Sequence, residues 1–300
     1  MSGSNGAAHL DETVRRDLLL SDDHRIARID RDRWIGYGRA REALEELERI
    51  LRSDRRQRPD NLLIVGASNN GKTAIARRFI ARMLPPENTA AAHSTIPVAL
   101  IQAPNGPRIP QLLMAIRAAL GQPPGRRETT AQLRIETYAM MRRVGLRLLL
   151  IDDLHNIRGS GVAPLLVELR EIGSVAGVSL GCFATTEIAY ALRQDDQLAN
   201  RFELMTLPRW RIEDPDYWRL LQTFARRLPL RSPSNLTDPD FAAHILARCD
   251  GLIGGVTRLL RQAAVQAVRT GHEQIDRGMV DRVHTTTPAA IETLATSERF

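Results

Sequence analysis

Short apolar runs alternate with helix-period stripes through roughly the first two thirds of the chain, and after Pro208 only the stripes continue. Asn61–Val65, Pro97–Ile101, Leu148–Ile151 and Val178–Ala184 are mostly apolar and too short for helices. Runs of that kind, bounded by turn residues, predict strands buried on both faces. Leu204–Leu207 predicts a fifth, shorter strand. Between them the period changes. Ala43, Leu44, Leu47, Ile50 and Leu51 share one face of a predicted helix, with Glu45 four residues ahead of Arg49. Further helices are predicted over Thr73–Met83, where Pro85 and Pro86 end the pattern, and over Ile109–Leu120, Thr130–Arg143, Pro164–Ile172 and Ile188–Leu192. Strands alternating with helices predict an α/β fold, a parallel sheet covered by helices on both faces.

Beyond Pro208 the stripes predict helices over Tyr217–Arg227, Pro239–Cys249, Gly255–Arg269 and Arg277–His284. The third is the clearest, with Val256, Leu259, Leu260, Ala263, Ala264, Ala267 and Val268 on one face. Residues 1–30 are polar and charged and read as an arm that orders only partly or on a partner. The expected organisation is therefore an arm over 1–30, an α/β domain over 31–208, a small all-helical lid domain over 209–285, and a tail over 286–300.

Composition narrows the class. With 300 residues, 43% hydrophobic and 26% charged, the chain can bury a sizeable core. No apolar run approaches the roughly 18 residues of a membrane span. The opening MSGSNGAAHLDETVRRD has no apolar core after its basic residues, so it is not read as a signal peptide. Cys182 and Cys249 show no metal spacing and read as reduced buried thiols. Together these predict a cytoplasmic protein.

The chemistry begins at GASNNGKT, residues 66–73, which contains the sole lysine; the other 41 of the 42 basic residues are arginine. A lone lysine scattered among them would land there about once in 42. The stretch fits G-x-x-x-x-G-K-[ST] between a predicted strand and a predicted helix, the context that a phosphate-binding loop requires. Gly66 and Gly71 let the backbone turn without a Cβ in the way, and Asn69 and Asn70 tolerate left-handed conformations. Successive N–H groups, among them that of Ser68, then form an anion nest at the positive end of the following helix. Lys72 would reach the β- and γ-phosphates as a compact charge, a task for which the forked guanidinium of arginine is ill shaped. Thr73 would give its hydroxyl to Mg²⁺. ATP and Mg²⁺ are the expected cofactors.

A second cluster follows Leu148–Ile151. Two adjacent acids end that strand, which is expected beside the first strand, so that Asp152 meets the Mg²⁺ shell and Asp153 polarises the attacking water. Asp153 is a methylene shorter than the glutamate more usual there, which predicts slow hydrolysis. Thr185, with Thr186 as the alternative, ends the fourth strand where a hydroxyl can touch the γ-phosphate and the water. Arg201 stands before the last strand, where it could enter a neighbouring subunit's site. Arg258 lies off the apolar stripe of its helix and could reach back to the phosphates.

RWIGYGRAREAL (33–44), NLLIVGASNNGKT (61–73), LLLIDDLHNI (148–157) and QLANRFELMTLPRW (197–210) together resemble the TniB-type transposition ATPases, AAA+ proteins related to TnsC and more distantly to IstB-like helicase loaders. The resemblance covers about residues 30–285. It implies an ATP-dependent DNA-binding regulator that assembles as a homo-oligomeric ring or filament on double-stranded DNA, recruits or activates a DDE transposase, and commonly connects it to a TniQ-type target selector. It also implies that Trp34, Ile35 and Tyr37 lie near the adenine, and that Lys72, Thr73, Asp152 and Arg201 keep their family roles. A replicative helicase loader shares these features and remains the alternative. A small-molecule kinase would leave Arg201 and the helical lid without a role.

The net charge of +7 and a pI near 10.3 favour an anionic partner. Arg108, Arg126 and Arg127 are the candidates for contact with DNA phosphates. A bacterial protein of this class would associate with the nucleoid when on DNA.

Overall fold

The computed structural model describes residues 7–31, 34–54, 59–83, 95–106, 108–122, 128–154, 162–193 and 200–283. The chain divides into two compact units, Gly38–Pro208 and a second made of Met1–Tyr37 with Arg209–Phe300.

The first unit carries five parallel strands: β1 (Asn61–Gly66), β2 (Val98–Gln102), β3 (Leu148–Asp152), β4 (Ser179–Ala184) and β5 (Phe202–Leu207). Their order across the sheet is β2-β3-β4-β1-β5. Helices are needed to cover both faces, because β1, β3 and β4 are buried at every position. They are α3 (Gly38–Arg52), α4 (Lys72–Met83), α5 (Ile109–Ala119), α6 (Thr130–Arg143), α7 (Val162–Glu171) and α8 (Thr186–Arg193). Local chemistry sets several ends. Thr129 and Gln132 form a capping box that starts α6, and α7 runs into a π turn that Gly177 closes at φ 68°.

The strand order corrects one expectation. β3 does not lie beside β1; β4 separates them, with Ile64 opposite Phe183 and Ile151 opposite Cys182. β4 is buried throughout, as β1 and β3 are, and fits between them because Gly181 makes room for its neighbours: a Cβ there would stand 2.6 Å from Leu150 and 2.9 Å from Leu47. Both cysteines are buried and free, and burial pushes each thiol up to about 12.

The second unit contains α1 (Glu12–Arg15), α2 (Asp22–Asp30), α9 (Pro215–Arg227), α10 (Pro239–Arg248), α11 (Ile253–Arg269) and α12 (Arg277–Arg282). The predicted stripe of α11 is buried throughout. Asp238 caps α10 and Asp276 caps α12, each accepting a backbone N–H from three residues on. The segment expected as a polar arm is helical over α1 and α2 and shares this core: Leu10, Val14 and Ile29 are buried, and α2 packs on α11. Arg25 is fully buried in α2, bonded to Glu273, to Asp22 and to the Pro229 carbonyl. Gly251, at φ 65°, passes so close to Trp210 that a Cβ would stand 2.6 Å from its carbonyl oxygen.

Candidate nucleotide-binding site

The C-terminal ends of β1, β3, β4 and β5 share one edge of the sheet, and the loop between β1 and α4 lies along it. This is where ligands bind in open parallel sheets. The loop turns through Asn69 at φ 61° and Gly71 at φ 86°. Of the two asparagines only Asn69 is left-handed. Asn70 does something else: its buried carboxamide nitrogen donates to the Leu207 carbonyl at 2.8 Å and the Pro208 carbonyl at 3.0 Å. Gly66 presses on the same residue, since a Cβ there would lie 3.1 Å from the Leu207 Cβ and carbonyl oxygen.

Lys72 is 5% exposed and opens α4. Its ammonium donates to the Gly66 carbonyl at 2.7 Å and the Ala67 carbonyl at 2.8 Å. Burial depresses its pKa, and the negative charges of Asp152, Asp153 and Glu187 oppose that shift. Asp152, 1% exposed, ends β3. Burial raises its pKa, while a hydrogen bond from the Thr73 hydroxyl and the nearby Lys72 charge hold it down. The Asp153 amide also bonds Asp152, at 2.9 Å, and Asp153 itself stands at φ 55°. Aspartate enters the left-handed region more readily than most residues.

The donor set fits a nucleoside triphosphate with Mg²⁺. A hydroxyl and a carboxylate in mutual contact, Thr73 and Asp152, suit a cation that keeps most of its ligands as water and phosphate oxygens. Among the described residues no group of three or more His, Cys, Asp or Glu side chains could hold a metal ion.

The other expected residues divide by place. Thr185 follows β4 directly beyond Ala184, which pairs with Val65, so it sits beside the start of the phosphate loop; its carbonyl accepts from the Ala189 amide in the first turn of α8. Thr186 is exposed. Arg201 lies at the opposite edge of the sheet, where its carbonyl accepts from the Asn61 side chain at the start of β1. The six residues of β1 put about 20 Å between that point and the chain's own phosphate loop. Arg108 is exposed just before α5, while Arg126 and Arg127 fall outside the described residues. Glu187, near enough to influence Lys72, was not anticipated; its signal was an acid three positions past the end of β4.

Trp34, Ile35, Tyr37 and Arg258 belong to the second unit. There Tyr37 is buried edge-on against Trp210, with centroids 5.1 Å apart, and Trp210 in turn meets Tyr217 at 6.2 Å. Burial pushes the Tyr37 phenol up to about 12. Ile35 lines a small cleft with Phe224, Leu228 and several arginines. Arg258 is exposed in the first turns of α11.

A family model described as "Bacterial TniB protein" matches residues 25–212. The chain belongs to the TniB family. Among solved structures it resembles the Aeropyrum pernix ORC1 protein in complex with DNA, at TM-score 0.57 and 21% identity over 81% of this chain and 63% of that one. The Aeropyrum pernix ORC2 protein in its ADPNP–ADP complexes gives TM-score 0.57 and 18% identity over 88% and 74%. Cdc6p from Pyrobaculum aerophilum gives 0.54 and 13% over 83% and 67%. At these identities the likeness establishes a shared AAA+ fold for this TniB-family chain. It spans less than two thirds of the ORC1 protein's length. A search of curated proteins gives no match. No helix among the described residues of this TniB-family protein is long and apolar enough to cross a membrane.

Proposed function

We propose that this TniB-family protein is an ATPase that assembles on double-stranded DNA in its ATP-bound form and there recruits or activates a DDE transposase, in concert with a TniQ-type target selector. The observation that carries the nucleotide part is the loop at 66–73, with Lys72 buried beside Asp152 and Asp153 at the open edge of a parallel sheet. Family membership over residues 25–212 supports the transposition part.

In this reading the loop amides and Lys72 hold the phosphates, and Thr73 and Asp152 hold Mg²⁺. Bound Mg²⁺ would neutralise charge on the transferring phosphoryl group. Asp153 accepts the proton of the attacking water, and Thr185 orients that water. Arg201 serves a second copy of the chain, because about 20 Å of strand separates it from its own loop. Arg258 and the Trp34–Tyr37 segment contribute to nucleotide binding.

Charge distribution supports DNA binding through the α/β unit. Residues 38–208 hold 23 basic and 17 acidic side chains, a net +6, whereas the second unit holds 19 and 18, a net +1. Arg108, Arg126 and Arg127 are the proposed phosphate contacts, and affinity should fall steeply with salt.

Electron microscopy of the protein with duplex DNA and a non-hydrolysable ATP analogue tests the assembly: rings or filaments on DNA are expected, and dispersed monomers would overturn it. Co-purification with a transposase is expected as well; co-purification with a replicative helicase in its place would assign the protein to helicase loading.

A further inference from the structure

A side-chain contact from the phosphate loop ends on the same short stretch of backbone that the last residue of β1 pairs with in the sheet, Gly66 standing opposite Leu207. The Asn70 carboxamide donates to the carbonyls of Leu207 and Pro208, and Gly66 lies close against Leu207, where a Cβ would stand 3.1 Å from the Leu207 carbonyl oxygen. Leu207 is the last residue of β5, and Pro208 is the last of the α/β unit, where the chain leaves for the other unit. Asn70 is 1% exposed, and its Oδ1 is buried with no hydrogen-bond donor among the described residues. A buried amide that spends both donors on one strand end and leaves its acceptor empty is oriented by that strand end.

The same loop is held in a self-satisfied arrangement, because Lys72 donates to the Gly66 and Ala67 carbonyls. Turning that ammonium toward a phosphate would take a charged donor away from two carbonyls at the very point where Gly66 presses on Leu207. A ligand that redistributes these bonds therefore acts on a loop already tied to the Leu207–Pro208 backbone through Asn70.

We propose that Asn70 is a positioning residue that couples occupancy of the phosphate loop to the end of β5, so that nucleotide binding alters the backbone at Leu207–Pro208. The proposal rests on the reading of residues 66–73 as a nucleotide site. Proline has no N–H, so Pro208 offers only its carbonyl to this link, and that carbonyl is the one Asn70 takes.

Hydrogen exchange of the full-length protein, with and without a saturating non-hydrolysable ATP analogue, tests it. In the wild type the amides of both 66–73 and 203–210 should change protection on binding. In Asn70→Ala, at a nucleotide concentration raised to saturate any weakened site, the loop amides should still respond, and the 203–210 response should fall by at least about half. Asn70→Asp keeps the shape and removes the donors, and should give the same loss if the alanine variant folds poorly. An unchanged 203–210 response in a nucleotide-bound variant, or none in the nucleotide-bound wild type, overturns the coupling and leaves the nucleotide site standing. Failure of the wild type to bind the analogue at all overturns both.

Discussion

Arg25 and Glu273, 248 positions apart, form a buried ion pair that ties the N-terminal helix α2 to the turn after α11. The Arg25 guanidinium is fully enclosed and also takes the Pro229 carbonyl, while Glu273 accepts in addition from the Arg231 backbone and side chain. Removing Arg25 leaves Glu273 with only its Arg231 contacts, and breaking a buried pair typically costs about 3–5 kcal/mol. Arg25→Met should therefore lower the free energy of unfolding in urea by about 3 kcal/mol, whereas Arg39→Met, at an exposed pair on α3, should change it by less than about 1 kcal/mol.

The same pair sets a pH dependence. Burial alone would raise the Glu273 carboxyl, but the Arg25 hydrogen bond, the Arg231 amide and both guanidinium charges outweigh it and hold its pKa below the usual carboxylate range. A depressed folded value means that the stabilisation is fully present above the unfolded pKa of about 4.3 and is lost as pH falls through the lower folded value. The stability gap between wild type and Glu273→Gln should be constant from pH 7 to about pH 5 and should narrow below about pH 4. Thermal melts across that range measure it.

Much of the fold was legible in the sequence because its signals are local. The buried strands stand out as apolar runs, and the α11 stripe from Val256 to Val268 repeats at helical spacing. What stayed hidden was non-local. One arginine among 41 gives no sign that Arg25 will be swallowed by a core, so residues 1–30 read as an arm. No pattern along the chain says that β4 will separate β3 from β1; what fits it there is close packing across the sheet, including the space at Gly181. At the site the motif marked the residues of the loop, but the partners of Asn70 lie 137 and 138 positions away.

Lys72 supplies the one ammonium at the loop. Its loss should remove a charge-assisted hydrogen bond of about 1.5–3 kcal/mol and weaken ATP binding about ten- to a hundredfold. Lys72→Arg should fare little better than Lys72→Ala, because a forked guanidinium does not fit where two loop carbonyls now converge on a single nitrogen. Titration with a fluorescent ATP analogue gives the affinities.

Asp153 should matter for turnover rather than binding. Asp153→Asn removes the proposed proton acceptor and should lower kcat about a hundredfold or more while ATP affinity changes little. Asp153→Glu would place a longer acid at φ 55°, where it is strained by roughly 1 kcal/mol, so extra reach comes with lost stability. Single-turnover hydrolysis alongside thermal melts separates the two effects.

Arg201 gives the test that bears on assembly. It immediately precedes the edge strand β5, at the end of the sheet remote from the phosphate loop, so each copy would depend on a neighbour for this guanidinium. Arg201→Ala should bind ATP normally and hydrolyse it at least about a hundredfold more slowly, within the range that such transition-state donors contribute. Lys72→Ala should fail at binding instead. Each variant alone leaves every site broken, but a mixed assembly contains sites in which an intact Lys72 loop faces an intact Arg201. Equimolar mixing on DNA should therefore restore turnover to a measurable fraction of wild type, whereas in a protein that used Arg201 within its own chain the mixture would remain as inactive as its parts.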